Sequence, residues 1–194
     1  MDEPMSSAEK NMSTANGSLP RVSTILRVLD DAYAGVPQAM MQAAAERGEI
    51  LHRLCLTYLV SLDGVHEAPV PTPDYVPAYT AFVEWVTSNG VLSVAIEQKS
   101  ENKKHGYCGT PDALVIYKGA YTLIDLKFTA SILRINRVQL QAYRRLDEYR
   151  EATHSLILHI DPRTGHLKQE NVKNNPRDWA AFLNALSILK WRMQ

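Results

Sequence analysis

Two aspartates and a lysine near the middle of the chain have the types and spacing for metal-assisted chemistry. Asp125 and Lys127 are two residues apart in Leu123-Ile124-Asp125-Leu126-Lys127-Phe128, a run with strand character. Alternate strand residues share a face, so Asp125 and Lys127 project together while Ile124, Leu126 and Phe128 face the other way. Asp112 follows Gly109-Thr110-Pro111 and opens another strand-like run, connected to the first through Lys118-Gly119. A two-residue turn at that dipeptide pairs Tyr117 with Ala120 and, counting outward, sets Asp112 opposite Asp125; a three-residue turn would offset the pair by one. Directly opposed side chains lie about 5 Å apart, and two carboxylates at that distance repel. A shared proton or a divalent cation relieves the repulsion, and carboxylate oxygens suit Mg²⁺ or Mn²⁺. An ammonium beside such a pair can position and activate a water or stabilise charge in a transition state. The bland alternatives are that an Asp-x-Lys triplet is common by chance and that an aspartate after Gly-Thr-Pro is often only a turn former.

The elements that must carry these groups are legible from periodicity. Residues 1–18 are small and polar and read as a disordered tail, leaving 19–194 as one domain. Residues 23–29 read as a short helix. A longer helix is expected after Val36-Pro37, with Met40, Ala44, Arg47, Leu51, Leu54, Tyr58 and Leu59 on its inward side. The stretch 67–77, with Pro69, Pro71, Pro73 and Pro77, reads as a loop, and 79–88 as a helix ended by Asn89-Gly90. Strands are expected at 91–97, 107–117 and 121–128. A helix over 136–149 capped by Asn136 follows, then strands at 155–160 and 166–172 around the turn Asp161-Pro162-Arg163-Thr164-Gly165. A last helix, capped by Asn175 or Asp178, runs to about Trp191. This order predicts an α/β domain with a central mixed sheet flanked by helices.

Gly109-Thr110-Pro111-Asp112, Leu123-Ile124-Asp125-Leu126-Lys127 and Gln139-Leu140-Gln141-Ala142-Tyr143 occur in that order, preceded by Arg47-Gly48-Glu49-Ile50-Leu51-His52. This set resembles the PD-(D/E)xK nuclease superfamily and is most similar to its RecB-type branch, which includes many phage exonucleases. The resemblance covers about residues 20 to 150. It implies a restriction-endonuclease-like core over 19–194 and a metal-dependent DNA nuclease, an exonuclease serving DNA recombination, repair or processing. A DNA endonuclease and a non-catalytic DNA-binding accessory protein on the same scaffold are the alternatives. It further implies His52, Asp112, Asp125 and the Leu126 carbonyl as ligands of Mg²⁺ or Mn²⁺, and Lys127 as the catalytic lysine. Gln139 and Tyr143, four apart on one helix face, would stand beside them. His52 and the Gln139/Tyr143 pair have an ordinary core reading as well. Glu97, at the end of a strand, reads as either a further acid or a surface charge.

Bulk properties narrow the partners. With 21 basic and 21 acidic residues in 194, the formal charge is zero, so contact with DNA must come from local clusters. Lys99, Lys103, Lys104 and His105 form one cluster before Asp112, and Arg134, Arg137, Arg144 and Arg145 another around the Gln139 helix. Lys103, Lys104, Arg134, Arg137 and Arg144, with Arg47, are the expected phosphate contacts. Two cysteines, Cys55 and Cys108, are too few for the four thiolates of an iron–sulfur cluster, and they fit a reducing compartment. No apolar run is long enough to span a membrane and no signal peptide is visible. A cytoplasmic protein of a bacterial or phage-infected cell is expected, with recombination or replication proteins as partners and no helicase motif of its own.

Overall fold

The structure is a computed structural model that describes residues 18–29, 38–129 and 131–194. Residues 1–17 of the expected tail over 1–18, and the expected helix start at Val36-Pro37, lie outside the described residues.

Five strands form a mixed sheet in the order β1-β4-β5-β6-β7: β1 (Leu92–Ile96), β4 (Ala113–Tyr117), β5 (Ala120–Lys127), β6 (His154–Ile160) and β7 (Leu167–Asn171). All neighbours are antiparallel except β5 and β6, which are parallel and joined through helix α4 (Arg134–Tyr143). A parallel pair needs such a crossover, because a tight turn reverses chain direction. Helices cover both faces. α1 (Val22–Leu26), α4 and α5 (Pro176–Arg192) bury one face around Leu123, Leu140, Ile157 and Phe182. α2 (Gln38–Ser61) and α3 (Val76–Ser88) bury the other around Leu51, Phe82, Ile124, Leu126 and Leu158. The period of two in β5 thus sends Leu123 to one core and Ile124 and Leu126 to the other. This is the α/β class expected, with a mixed sheet flanked by helices.

Several boundaries differ from expectation for identifiable reasons. The run 107–117 is two strands. Pro111 has no N–H to give a ladder, and before it β3 (Tyr107–Gly109) leaves the main sheet to form a hairpin with β2 (Ser100–Asn102). The basic cluster from Lys99 to His105 therefore runs from just before β2 through the turn of this hairpin. α4 begins at Arg134, and Asn136 sits inside its first turn, where Oδ1 accepts the Leu133 N–H at 2.8 Å. The helix stops at Tyr143 instead of Tyr149. Tight i→i−3 bonds from Arg145 and Leu146 take over, and the chain turns so that Leu146 and Tyr149 enter the core. α5 is capped by Asn175, whose Oδ1 accepts from the Arg177 N–H at 3.0 Å. Finally, the first turns of α2 bury none of their residues: Met40 is 67% exposed and the core contacts begin only at Leu51. That part of the helix walls a cleft.

Candidate active site

The β4–β5 hairpin turns at Lys118-Gly119, pairs Tyr117 with Ala120 and keeps register to Ala113 opposite Ile124. The next opposed positions are Asp112 and Asp125, as the two-residue turn requires. Lys118 and Gly119 both take positive φ, 51° and 77°, as this turn demands. Asp112 lies one step past the ladder, and its side chain continues it: Oδ2 accepts the Leu126 N–H at 2.7 Å. Its own carbonyl accepts the Glu97 N–H at 3.0 Å. Glu97 holds φ at 46°, a left-handed conformation costly for a side-chain-bearing residue. Glu97 thereby anchors the Asp112 backbone, while its own carboxylate is exposed.

His52 reaches the same point from α2. Its Nε2 lies 3.2 Å from Asp112 Oδ2 and 3.1 Å from the Leu126 carbonyl, so in this arrangement Nε2 carries a proton between two acceptors. Phe128 packs edge-on against the imidazole. Asp125 is fully buried, and Lys127 Nζ pairs with its Oδ2 at 2.7 Å. Asp125 Oδ1 is buried without a hydrogen-bond partner. From the opposite layer, Gln139 Nε2 donates to the Tyr143 hydroxyl at 3.1 Å. The Tyr143 ring lies against Gly109, where a Cβ would come within 2.8 Å of it. Glycine is thus required just upstream of Asp112 for that close approach.

The electrostatics separate the two carboxylates. Burial, reinforced by the charge of Asp112 and opposed by Lys127, pushes Asp125 up to about 6. Burial acts the same way on Asp112, but the His52 imidazole, Lys127 and the Leu126 N–H overcome it and hold its pKa below the ordinary value. Burial opposes a charge on His52, yet the Asp112 carboxylate raises its pKa above the ordinary value. Burial and the nearby Asp112 carboxylate keep the Tyr143 hydroxyl protonated. Paired groups with pKa values pushed apart are a mark of acid–base sites.

These residues fit a divalent cation. Two ligand atoms at right angles about 2.1 Å from one ion are about 3 Å apart. The spacings from His52 Nε2 to Asp112 Oδ2 and to the Leu126 carbonyl are 3.2 and 3.1 Å. The position between them is now filled by the imidazole proton. Beside it, Asp125 offers a buried oxygen with no hydrogen-bond partner, which ordinarily costs free energy unless something else satisfies it. Among the described residues, no three His, Cys, Asp or Glu side chains are already arranged to hold an ion, and Asp125 Oδ2 is paired with Lys127. The fit comes from two carboxylates, one imidazole and one main-chain carbonyl.

No family model matches the sequence, and no curated protein matches it. Solved structures do. An alkaline exonuclease (LHK-Exo) from Laribacter hongkongensis aligns at 13% identity and a TM-score of 0.52, over 95% of this chain and 91% of that one. The chain shares that fold. SSO0001 aligns at 15% identity and a TM-score of 0.48, over 96% of this chain and 82% of that one. A phage-related exonuclease from Haemophilus somnus 129PT aligns at 11% identity and a TM-score of 0.41, over 94% of this chain and 100% of that one.

Beside the His52–Lys127 cluster lies a cleft of about 1000 Å³ between the exposed start of α2, the chain after β5 and the β6–β7 turn. Arg47 lines it, and its Nε is buried without a partner. Arg163 also lines it, a residue that sequence reasoning missed. The turn at 161–165 was legible, but nothing in it signals which cleft it borders. The other expected cations are dispersed. Arg137 is tied to Glu170 at 2.5 Å, and Arg134 lies 3.8 Å from Asp178. Lys103 and Lys104 sit at the tip of the β2–β3 hairpin, where the Lys103 N–H faces Asp147. Arg144 donates to the Thr153 carbonyl, at the start of β6, and does not line the cleft. Among the described residues, no helix is long and apolar enough to cross a membrane.

Proposed function

We propose that this chain is a metal-dependent DNA nuclease that hydrolyses phosphodiester bonds from DNA ends, acting in DNA recombination, repair or processing. The observation that carries the reading is the convergence of Asp112 Oδ2 and the Leu126 carbonyl on His52 Nε2, at 3.2 and 3.1 Å, beside the buried Asp125–Lys127 pair. The fold shared with LHK-Exo supports it. His52, Asp112, Asp125 and the Leu126 carbonyl would hold Mg²⁺ or Mn²⁺. A bound ion supplies Lewis-acid polarisation and a nucleophilic water at neutral pH.

The remaining work belongs to side chains of this chain. Asp125 fixes the Lys127 ammonium, which then orients the attacking water and offsets the charge that gathers on the phosphoryl oxygens. Tyr143 stays protonated and can donate a hydrogen bond, and Gln139 fixes the direction of its hydroxyl. Arg47 and Arg163 offer guanidinium donors to phosphates of a strand lying in the cleft. Incubating the protein with end-labelled linear and closed circular DNA, with and without Mn²⁺, tests the proposal. Degradation of the linear form only, and only with the ion, is expected. Nicking of the circle assigns an endonuclease. DNA binding without cleavage under all conditions rejects the enzyme.

A further inference from the structure

A second cavity, of about 660 Å³, lies at the opposite end of the sheet, where β5 and β6 begin. It is roughly 20 Å along β5 from Lys127, from the rise per residue of a strand. Four basic side chains from four separate segments line it: Lys118 from the hairpin turn, Arg144 after α4, His154 at the start of β6, and Lys173 after β7. No aspartate or glutamate does. In a chain with equal numbers of acidic and basic residues, an acid-free cationic cavity is a local departure. Among the described residues none of the four is ion-paired with a carboxylate.

The second observation is independent of charge. Ser155 lines the same cavity, is 2% exposed, and its hydroxyl has no hydrogen-bond partner. A buried hydroxyl without a partner costs on the order of 1–3 kcal/mol, so native chains rarely keep one unless something else satisfies it. Tyr117 forms an apolar wall, braced from behind by Trp85 with ring centroids 5.3 Å apart. Cations, an unsatisfied hydroxyl and the volume of a small-ligand site define the ligand class. It is an oxyanion that takes several donors at once, as phosphate does through guanidinium and ammonium groups.

We propose that this cavity binds a phosphate group, presented by a free nucleotide or by a nucleic-acid strand. Lys118, Arg144 and Lys173 supply the charge, and the Ser155 hydroxyl donates to a phosphate oxygen. The inference stands on this end of the sheet alone and survives if the nuclease reading fails.

Calorimetric titration of the full chain, in metal-free buffer at low ionic strength, tests it with four probes. These are inorganic phosphate, deoxyadenosine monophosphate, thymidine, and a short oligothymidine without terminal phosphates. Saturable binding of the phosphate-bearing probes and none of thymidine is expected. Binding of phosphate and the mononucleotide identifies a free-nucleotide site; binding of the oligonucleotide alone identifies a strand contact. Either supports the proposal. The double variant Lys118→Ala/Lys173→Ala changes two exposed side chains and should weaken binding about tenfold or more, the effect of losing charge-assisted contacts. Ser155→Ala should weaken it several-fold. The proposal is overturned if no probe binds, or if binding is untouched by the far-end variants.

Discussion

The two ends of the central sheet both hold a buried polar atom without a hydrogen-bond partner, and they differ in what surrounds it. At the C-terminal end of β5 the atom is Oδ1 of Asp125, a potential anion among an imidazole, an ammonium and a second carboxylate. At the N-terminal end of β6 it is the neutral hydroxyl of Ser155, in a cavity lined by cations. One end has the donors to take a cation, and the other has the donors to take an anion. The contrast follows from chain topology. Asp112 and Asp125 are brought together by a hairpin register, whereas Lys118, Arg144, His154 and Lys173 meet only because four segments end at one rim.

The largest expected effect is at the carboxylate end. Lys127→Ala should reduce DNA cleavage by about 10²–10⁴-fold, the usual range for an acid–base or charge-stabilising group, with folding retained. Asp125→Asn should lose cleavage and Mn²⁺ binding together. Single-turnover cleavage assays and a Mn²⁺ titration separate the two outcomes. Full cleavage by purified Lys127→Ala would reverse the assignment of that end.

A smaller effect concerns stability against pH in metal-free protein. Asp125 is raised from 3.8 to about 6 and His52 is raised above 6.5. A raised pKa means that the folded chain holds protons the unfolded chain has released, so stability falls as pH rises. The Asp125 contribution is lost between about 4 and 6, and the His52 contribution above 6.5. Asp112 is lowered and acts only as pH drops below 3.8, outside this window. These two groups should therefore make the melting temperature decline from pH 4 to pH 8, against a smaller opposite contribution below pH 6.5 from His105, whose pKa burial and the neighbouring Lys104, Arg145 and Lys190 lower. Each kcal/mol moves it by about 2–4 °C in a domain of this size. Asp125→Asn should flatten the lower half of the decline, and Mn²⁺ should raise the melting point most at high pH. A rising curve through pH 5–7 would contradict the charge arrangement described for this end.

The glycines at the two ends sharpen the contrast further. Gly165 and Gly119 both sit at positive φ, 70° and 77°. A Cβ at Gly165 would come within 2.4 Å of the Pro77 carbonyl oxygen, while nothing lies within 4 Å of one at Gly119. Gly119→Ala should cost about 1–2 kcal/mol from backbone strain alone. Gly165→Ala carries the same strain plus a clash with main chain, so its loss in chemical denaturation should be clearly larger. Equal losses would mean that the β6–β7 turn carrying Arg163 is less rigidly seated against α3 than its contacts show.

Legibility from sequence follows the same division. The hairpin register came from counting outward from Lys118-Gly119, because period-two geometry leaves one free variable, the turn length. His52, Asp112, Asp125, Leu126 and Lys127 meet as their motif order implied, and Gln139 bonds to Tyr143 as their spacing allowed. Other features were hidden because they depend on distant partners. Arg137 is neutralised by Glu170, a contact set by the parallel placement of β6 and the position of β7. Arg144 looks equivalent to its neighbours on the helix, yet the end of α4 at Tyr143 sends it to the far rim. The exposed start of α2 reads as amphipathic because a helix walling a cleft and a helix covering a core share one periodicity.

The smallest expected change separates the two buried groups most cleanly. Ser155→Ala removes a hydroxyl that makes no hydrogen bond, and it leaves the backbone pairing of Ser155 with Val172 in place. A purely structural serine with a hidden partner would lose about 1 kcal/mol on this change. A hydroxyl held unsatisfied for a ligand loses nothing in the ligand-free chain, and removing its desolvation penalty gives equal or slightly higher stability. Denaturation without ligand should therefore place Ser155→Ala at or above the parent chain, while phosphate should stabilise the parent more than the variant. A destabilised Ser155→Ala with an unchanged phosphate response would make the far rim an ordinary satisfied edge of the sheet and leave the carboxylate end as the sole functional pole.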